Sequence, residues 1–192
     1  MTRIAIFASG SGSNAENIAN YFSDNANVEI SLFLTNKENA YVLERAKQLE
    51  IQSVVFNRTQ FLETDEITSI LSKKDIDLIV LAGFLLKIPE NLIKAYPNKI
   101  VNIHPALLPK FGGKGMYGDN VHKAVVENKE TESGITIHYV NENYDEGKII
   151  FQAKCPVIPT DTFENVAAKI HQLEYEHFPK TIDVLINNNE ST

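Results

Sequence analysis

The sequence predicts an α/β protein: a doubly wound, mostly parallel sheet with helices on both faces and an antiparallel addition in its C-terminal part. Three observations carry that expectation. Short apolar runs of strand length alternate with helical patterns through the first half of the chain, which is the signature of βαβ units. The alternation stops after Pro105, at the Gly-rich stretch "PKFGGKGMYGDN". Two strand-like runs then follow, "GITIHYV" and "KIIFQAKCPVI", joined by the turn "NENYDEG", a spacing that suits an antiparallel pair.

The elements follow in order. Strands are expected at Ile4–Ala8, Val28–Thr35, Ser53–Asn57, Leu78–Ala82 and Ile100–His104. Helices fit between them at about 14–23, 40–49, 62–73 and 90–96. A short helix near 120–128 precedes the antiparallel pair. The last helix runs through "TDTFENVAAKIHQLEYEHFPKTIDVLI", with Thr160 or Thr162 as the candidate cap and Pro179 as an expected interruption. The tail "NNNEST", Asn187 to Thr192, reads as frayed.

The chain of 192 residues suffices for one domain with a real core. An apolar content of 43% and a charged content of 22% are ordinary for a globular protein. No apolar run approaches the length of a membrane span, and the N-terminus runs straight into a strand pattern, so a cytoplasmic location is expected. The net charge of −7 disfavours nucleic acid as a main partner. The single cysteine, Cys155, has no disulfide partner and reads as an inert packed thiol.

In an open α/β sheet, ligands bind beyond the carboxyl ends of the strands. Three marked stretches fall there: "SGSGSN" after the first strand, "AGFLLKIP" after the fourth and "NIHPALLP" at the fifth. The first resembles a dinucleotide fingerprint. The second strand ends "FLTNK", however, without the acid that would bind a ribose. A lone phosphate on the helix N-terminus suits the serine-rich turn better, and a tight turn without ligand is the plain structural alternative.

Asn102 and His104 are two apart on a strand and share a face. An amide donor beside an imidazole suits acyl transfer, the first for a developing oxyanion and the second for proton movement. Asp145, Glu142 and Glu146 are the candidate acids to orient the histidine, from a turn expected near the same sheet end. The plain alternative is an Asn and a His satisfied in a loop. His138 reads as a packed strand residue and His122 as solvated. His171 and Glu174, at i and i+3, form either a solvated pair or a substrate contact. Scattered histidines without ligand spacing argue against zinc.

The stretches "SGSGSN", "LAGFLLKIP", "NIHPALLP" and "YDEGKIIFQ", in this order, resemble the folate-dependent formyltransferases, and within them the phosphoribosylglycinamide formyltransferase family. The resemblance runs from Arg3 to about Pro179. It implies a Rossmann-like formyltransferase fold forming one domain, with an N-terminal half that binds the nucleotide and a C-terminal half that binds folate. It implies formyl transfer from 10-formyltetrahydrofolate, as co-substrate and without a metal, to the amine of glycinamide ribonucleotide in purine synthesis. Gly12, Ser13 and Asn14 then resemble the phosphate and ribose contacts. Leu85, Leu86, Lys87 and Ile88, with Asn102, resemble the folate-facing groups. Asn102, His104 and Asp145 resemble the catalytic trio. Glu174, with His171 beside it, resembles the holder of the substrate amine. The implied partners are these two small molecules, with no nucleic acid and no membrane, and a monomer or homodimer as the assembly.

The chain departs from the family pattern twice. After the third strand, where family members often place a basic residue to meet folate, "RTQFLETDE" has only Arg58 at its start and no residue is carried over, and the loop "KFGGKGMYGDN" is longer and richer in Gly, as a mobile cover would be. Methionyl-tRNA formyltransferases share the catalytic motif but carry a further C-terminal domain and a basic surface. A formyltetrahydrofolate hydrolase would add an N-terminal regulatory domain. Sugar-nucleotide formyltransferases are a further relative. A nucleotide-binding regulatory module would keep the glycine turn without needing Asn102, His104 and Asp145 together.

Overall fold

The structure, a computed structural model, describes residues 1–189. The strands are β1 (Thr2–Phe7), β2 (Val28–Thr35), β3 (Ser53–Val55), β4 (Leu78–Leu81), β5 (Ile100–His104), β6 (Glu132–Tyr139) and β7 (Ile149–Pro156). They follow the order β3-β2-β1-β4-β5-β6-β7 in one seven-stranded sheet. The helices are α1 (Ser13–Phe22), α2 (Val42–Gln48), α3 (Arg58–Glu63), α4 (Glu66–Lys73), α5 (Glu90–Ala95), α6 (Asp119–Glu127) and α7 (Phe163–Asn189). By its internal contacts the chain divides into two compact units, Met1–Asn102 and a second beginning at Ile103, so that the boundary falls inside β5.

In the first unit, β1 pairs in parallel with β2 on one side and β4 on the other, β2 pairs with β3, and β4 with β5. Strand order therefore reverses between β1 and β4, and right-handed crossovers then place helices on both faces. The contacts α1 to α2, α3 to α4 and α4 to α5 match that division. The strands are apolar because both faces are covered: Ile4, Ala5, Ile6, Phe7, Leu32, Leu34, Ile79 and Val80 are buried. Phe7, Phe56, Phe61 and Phe84 form one aromatic cluster, with ring centroids 5.0–6.1 Å apart. It ties α3 and the segment after β4 to the sheet.

In the second unit, β6 and β7 pair antiparallel, with a register shift at Ile137/His138. Helix α7 buries Val166, Ile170, Glu174, Phe178, Ile182 and Ile186, a stripe of every fourth residue. Glu174 is its one charged member. Helix α6 buries Val121, His122 and Val125 and contacts α7.

Several sequence expectations need correction. The helix expected over 62–73 is two helices, because α3 starts earlier, on a capping box between Asn57 and Gln60, and stops at extended Thr64. The third strand stops at Val55, short of Asn57, and the first spans Thr2–Phe7. Thr162, not Thr160, caps α7: its Oγ1 accepts from the Asn165 N–H at 3.3 Å. Pro179 lies inside α7 without ending it. Asn187 to Asn189 belong to that helix rather than to a frayed tail, while the tail's remaining residues, 190–192, lie outside the described residues. Among the described residues no helix is long and apolar enough to cross a membrane.

Candidate active site

The first unit holds the glycine turn. Gly12 caps α1 with φ of 70°, and its carbonyl accepts from the Glu16 N–H at 2.9 Å. A Cβ at Gly12 would overlap the Val42 side chain. The glycine is therefore required by α2 as well as by any ligand. The turn is braced from behind. The Val42 N–H donates to the Gly10 carbonyl at 3.2 Å, and Arg45 donates to the Ser11 carbonyl at 2.8 Å while pairing with Glu16. Ser13 and Asn14, the other two phosphate candidates, form the first turn of α1, both half-buried.

Ser9 joins the ends of three strands. Its hydroxyl donates to Asn36 Oδ1 at 2.6 Å and accepts from the Leu85 N–H at 3.0 Å, and its own N–H donates to the Gly83 carbonyl at 3.0 Å. The segment after β4 is thereby anchored by its backbone. Leu85 and Lys87 are exposed, Leu86 is half-buried and Ile88 is buried. Asn102 follows on β5, half-buried and paired in register with Leu81 of β4.

The second unit holds the titratable groups. His104 ends β5 and is buried. Its Nε2 lies 2.8 Å from the Phe111 carbonyl oxygen. That oxygen only accepts, so Nε2 carries the proton. Nδ1 faces Asp145 Oδ2 at 3.6 Å. Asp145 is in turn fixed by the Gly113 N–H, which donates to Oδ2 at 2.9 Å, and by His138, whose Nε2 lies 3.7 Å from Oδ1. The His138 Nδ1–H donates to the Tyr139 carbonyl at 2.9 Å. Gly147 lets this turn close: a Cβ there would overlap the Tyr139 carbonyl. Phe111 and Asp145 both sit at positive φ, 54° and 56°, a conformation that costs a bulky Phe energy.

Electrostatics corrects a further expectation. A carboxylate neighbour suggests a His104 pKa above the ordinary value. Burial instead holds it below, outweighing the opposing pull of Asp145 and the Phe111 carbonyl. Asp145 shows the opposite balance. Burial would raise its carboxyl pKa, but His138, His104 and the Gly113 N–H together hold it below the ordinary carboxylate value. The result is a neutral imidazole with a lone pair facing an ionised carboxylate. Such a pair takes up a proton readily during a reaction, because the countercharge is already in place. Glu142 and Glu146, the other acids of the turn, are exposed.

His171 Nδ1 and Glu174 Oε2 are 2.9 Å apart. The hydrogen bond to Glu174 raises the His171 pKa against the opposing effect of partial burial, and Glu174 is buried while the His171 side chain is 56% exposed. His122, expected to be solvated, is buried instead, and burial lowers its pKa. Cys155 is half-buried with its thiol pushed up by burial, as suits an unreactive thiol. Among the described residues no three His, Cys, Asp or Glu side chains group as metal ligands.

Beneath the His104 loop lies a satisfied polar knot. Thr136, fully buried, donates to the Ala106 carbonyl at 2.7 Å and accepts from the Leu108 N–H at 3.0 Å and from Gln152 at 2.8 Å. Gln152 also donates to the Leu108 carbonyl at 3.1 Å. The Leu108–Pro109 peptide is cis. Sequence reasoning missed Thr136 and Gln152. It also missed Phe111 and Gly113, which act through backbone groups.

The sequence profile of the formyl transferase family matches residues 2–182. The chain belongs to the formyl transferase family. Relatives of the chain include the chloroplastic phosphoribosylglycinamide formyltransferase of Arabidopsis thaliana, 40% identical over 95% of the chain and 65% of the relative. The phosphoribosylglycinamide formyltransferase of Haemophilus influenzae is 38% identical over 95% of the chain and 86% of its own length. Against the two plant relatives the chain spans less than two thirds of their length, 65% and 60%. The crystal structure of phosphoribosylglycinamide formyltransferase from Anaplasma phagocytophilum superposes with a TM-score of 0.89 at 35% identity, covering 97% of this chain and 88% of that one. The corresponding structure from Streptococcus pneumoniae gives 0.85 at 35% identity, over 97% and 99%.

Proposed function

We propose that this formyl transferase moves a formyl group from 10-formyltetrahydrofolate to the primary amine of glycinamide ribonucleotide. The observation that carries the reading is the approach of Asp145 to the buried His104 of the Asn-x-His-Pro motif, in a chain whose relatives are named for that reaction.

The chemistry needs three services. The amine attacks the formyl carbon and an oxyanion develops, which Asn102 meets with its amide N–H. The attacking nitrogen becomes acidic and gives its proton to His104 at Nδ1, beside the Asp145 carboxylate. The imidazolium returns that proton to the leaving folate nitrogen, so no net proton is gained or lost. His104 thus begins neutral and is charged only in mid-reaction, which fits its burial. Gly12, Ser13 and Asn14 are assigned to the phosphate and ribose, Leu85 to Ile88 and Asn102 to the folate, and Glu174 with His171 to the amine. The cytoplasm as compartment, and a monomer or homodimer as assembly, belong to the same proposal.

The test is formyl release from 10-formyltetrahydrofolate with and without glycinamide ribonucleotide, with the formylated product identified by mass. Transfer that depends on the ribonucleotide is expected. Formyl loss to water at the same rate in its absence overturns the reading in favour of hydrolysis, and transfer only to a sugar-nucleotide amine overturns the substrate.

A further inference from the structure

The second unit buries a titratable side chain with an unpartnered nitrogen. His122 lies on α6 with 3% of its surface exposed, and its Nδ1 has no hydrogen-bond partner among the described residues. A buried nitrogen without a partner costs stability, and a leucine would fill the same apolar stripe beside Val121 and Val125 without that cost. The titratable groups acting on the ring are His171 and Glu174 of α7, Asp119 of its own helix, and His104. Helix α6 packs against α7, the helix that carries His171 and Glu174, so His122 lies on the element next to the residues assigned to the amine.

We propose that His122 Nδ1 is a substrate-binding atom that accepts a hydrogen bond from the primary amine of the acceptor substrate, alongside Glu174. This rests on the amine-acceptor reading above. The argument is chemical. A carboxylate alone favours an ammonium ion, which has no lone pair and does not attack. Glu174 already holds a hydrogen bond with His171, which weakens that preference. A neutral imidazole lone pair adds an acceptor without adding charge. Burial, and His171 after it, push the His122 pKa below the ordinary value and so favour the neutral ring. A primary amine offers two N–H donors, one for Glu174 and one for His122, and its own lone pair stays free for the formyl carbon.

The test is calorimetric titration of the intact chain and of His122→Phe with glycinamide ribonucleotide, and with ribose 5-phosphate, which lacks the amine. His122→Phe removes both ring nitrogens and keeps a planar apolar ring. The ribonucleotide Kd is expected to rise about 10- to 100-fold, with ribose 5-phosphate affinity unchanged and Tm equal or higher. His122→Asn, which can place an amide oxygen near Nδ1, should recover part of the loss. An unchanged ribonucleotide Kd in His122→Phe overturns the proposal alone. Equal weakening of both ligands with a lowered Tm also overturns it and makes His122 structural. A parent chain that binds ribose 5-phosphate but gains nothing from the glycinamide overturns the acceptor reading itself.

Discussion

The glycine turn of the first unit and the histidine cluster of the second hold polar groups ready by opposite means. The turn uses backbone and shape. Gly12 presses against Val42, Arg45 and Val42 hold the carbonyls of Ser11 and Gly10, and Ser9 ties in the neighbouring strand ends. None of these contacts involves a histidine. The cluster uses side chains whose protonation is biased by burial and by one another: burial lowers the His104 pKa, His138, His104 and the Gly113 N–H together lower that of Asp145, and Glu174 raises that of His171. A site that recognises a permanent anion can be built from rigid donors. A site that moves protons has to keep groups close to changing state.

The largest expected effect breaks the first region by shape. Gly12→Val puts a β-branched residue at φ of 70° and drives it into Val42. The structure gives the space at Gly12 to α2, so the fold suffers before any ligand does. A loss of about 2–6 kcal/mol is expected in denaturant unfolding, with part of it restored by Val42→Ala in the same chain. A Gly12→Val protein as stable as the parent would mean that the turn has slack the structure does not show.

The next effect breaks the second region by charge. Asp145→Asn preserves shape and removes the carboxylate that opposes burial at His104. The His104 pKa, already low, should fall further, and kcat at neutral pH should drop by about 10²–10⁴-fold. NMR titration of His104 in both proteins reads the first, and steady-state rates the second. Coincident His104 titrations would remove Asp145 as its electrostatic partner. Asn102→Ala sharpens the contrast between donor and proton carrier. It should lower kcat by about 10²–10³-fold and leave KM nearly unchanged, whereas a loss confined to KM would make Asn102 a positioning group.

The two regions also differed in how far the sequence disclosed them. The strand order and the glycine turn follow from apolar runs and turn residues, both local signals. Asn102 and His104 paired from their shared strand face, but Asp145 was singled out from Glu142 and Glu146 only through resemblance, because "YDEG" and "NIHP" lie far apart in the chain. Glu174 had a signal of its own, a charge in an apolar stripe repeating every fourth residue. His122 carried the same signal beside Val121 and Val125, but the Gly-rich loop before it suggested solvent. The direction of the His104 pKa shift was illegible, because it is a contest between burial and a neighbouring charge. Burial is a property of the folded unit, and the contacts of Phe111 and Gly113 are made by backbone groups that every residue type carries.

The smallest effect concerns stability against pH, and it separates the histidines from the carboxylates. Stability rises with pH wherever the unfolded chain binds more protons than the folded one. His104 and His122 are held below their ordinary value of 6.5. Above that pH both states leave them neutral and stability is complete. As pH falls through 6.5 the unfolded chain protonates them first, and stability declines toward their folded pKa values. His171 works the other way, because its raised pKa stabilises the fold below 6.5 and that contribution is lost as pH rises through the folded value. Its half-exposed ring makes this the weaker influence. Asp145, held below 3.8, keeps its contribution until pH falls well under the window considered. Melting temperature should therefore decline from pH 7.5 to pH 5.5, with each excluded proton worth up to about 1.4 kcal/mol per pH unit. His122→Phe removes one of the two excluded protons and should flatten the decline, and Asp145→Asn should carry it to lower pH by depressing His104 further. Parallel melting curves for the parent and His122→Phe across that range would mean that His122 gains a proton in the folded chain as easily as in the unfolded one, and burial would then not be what keeps its ring neutral.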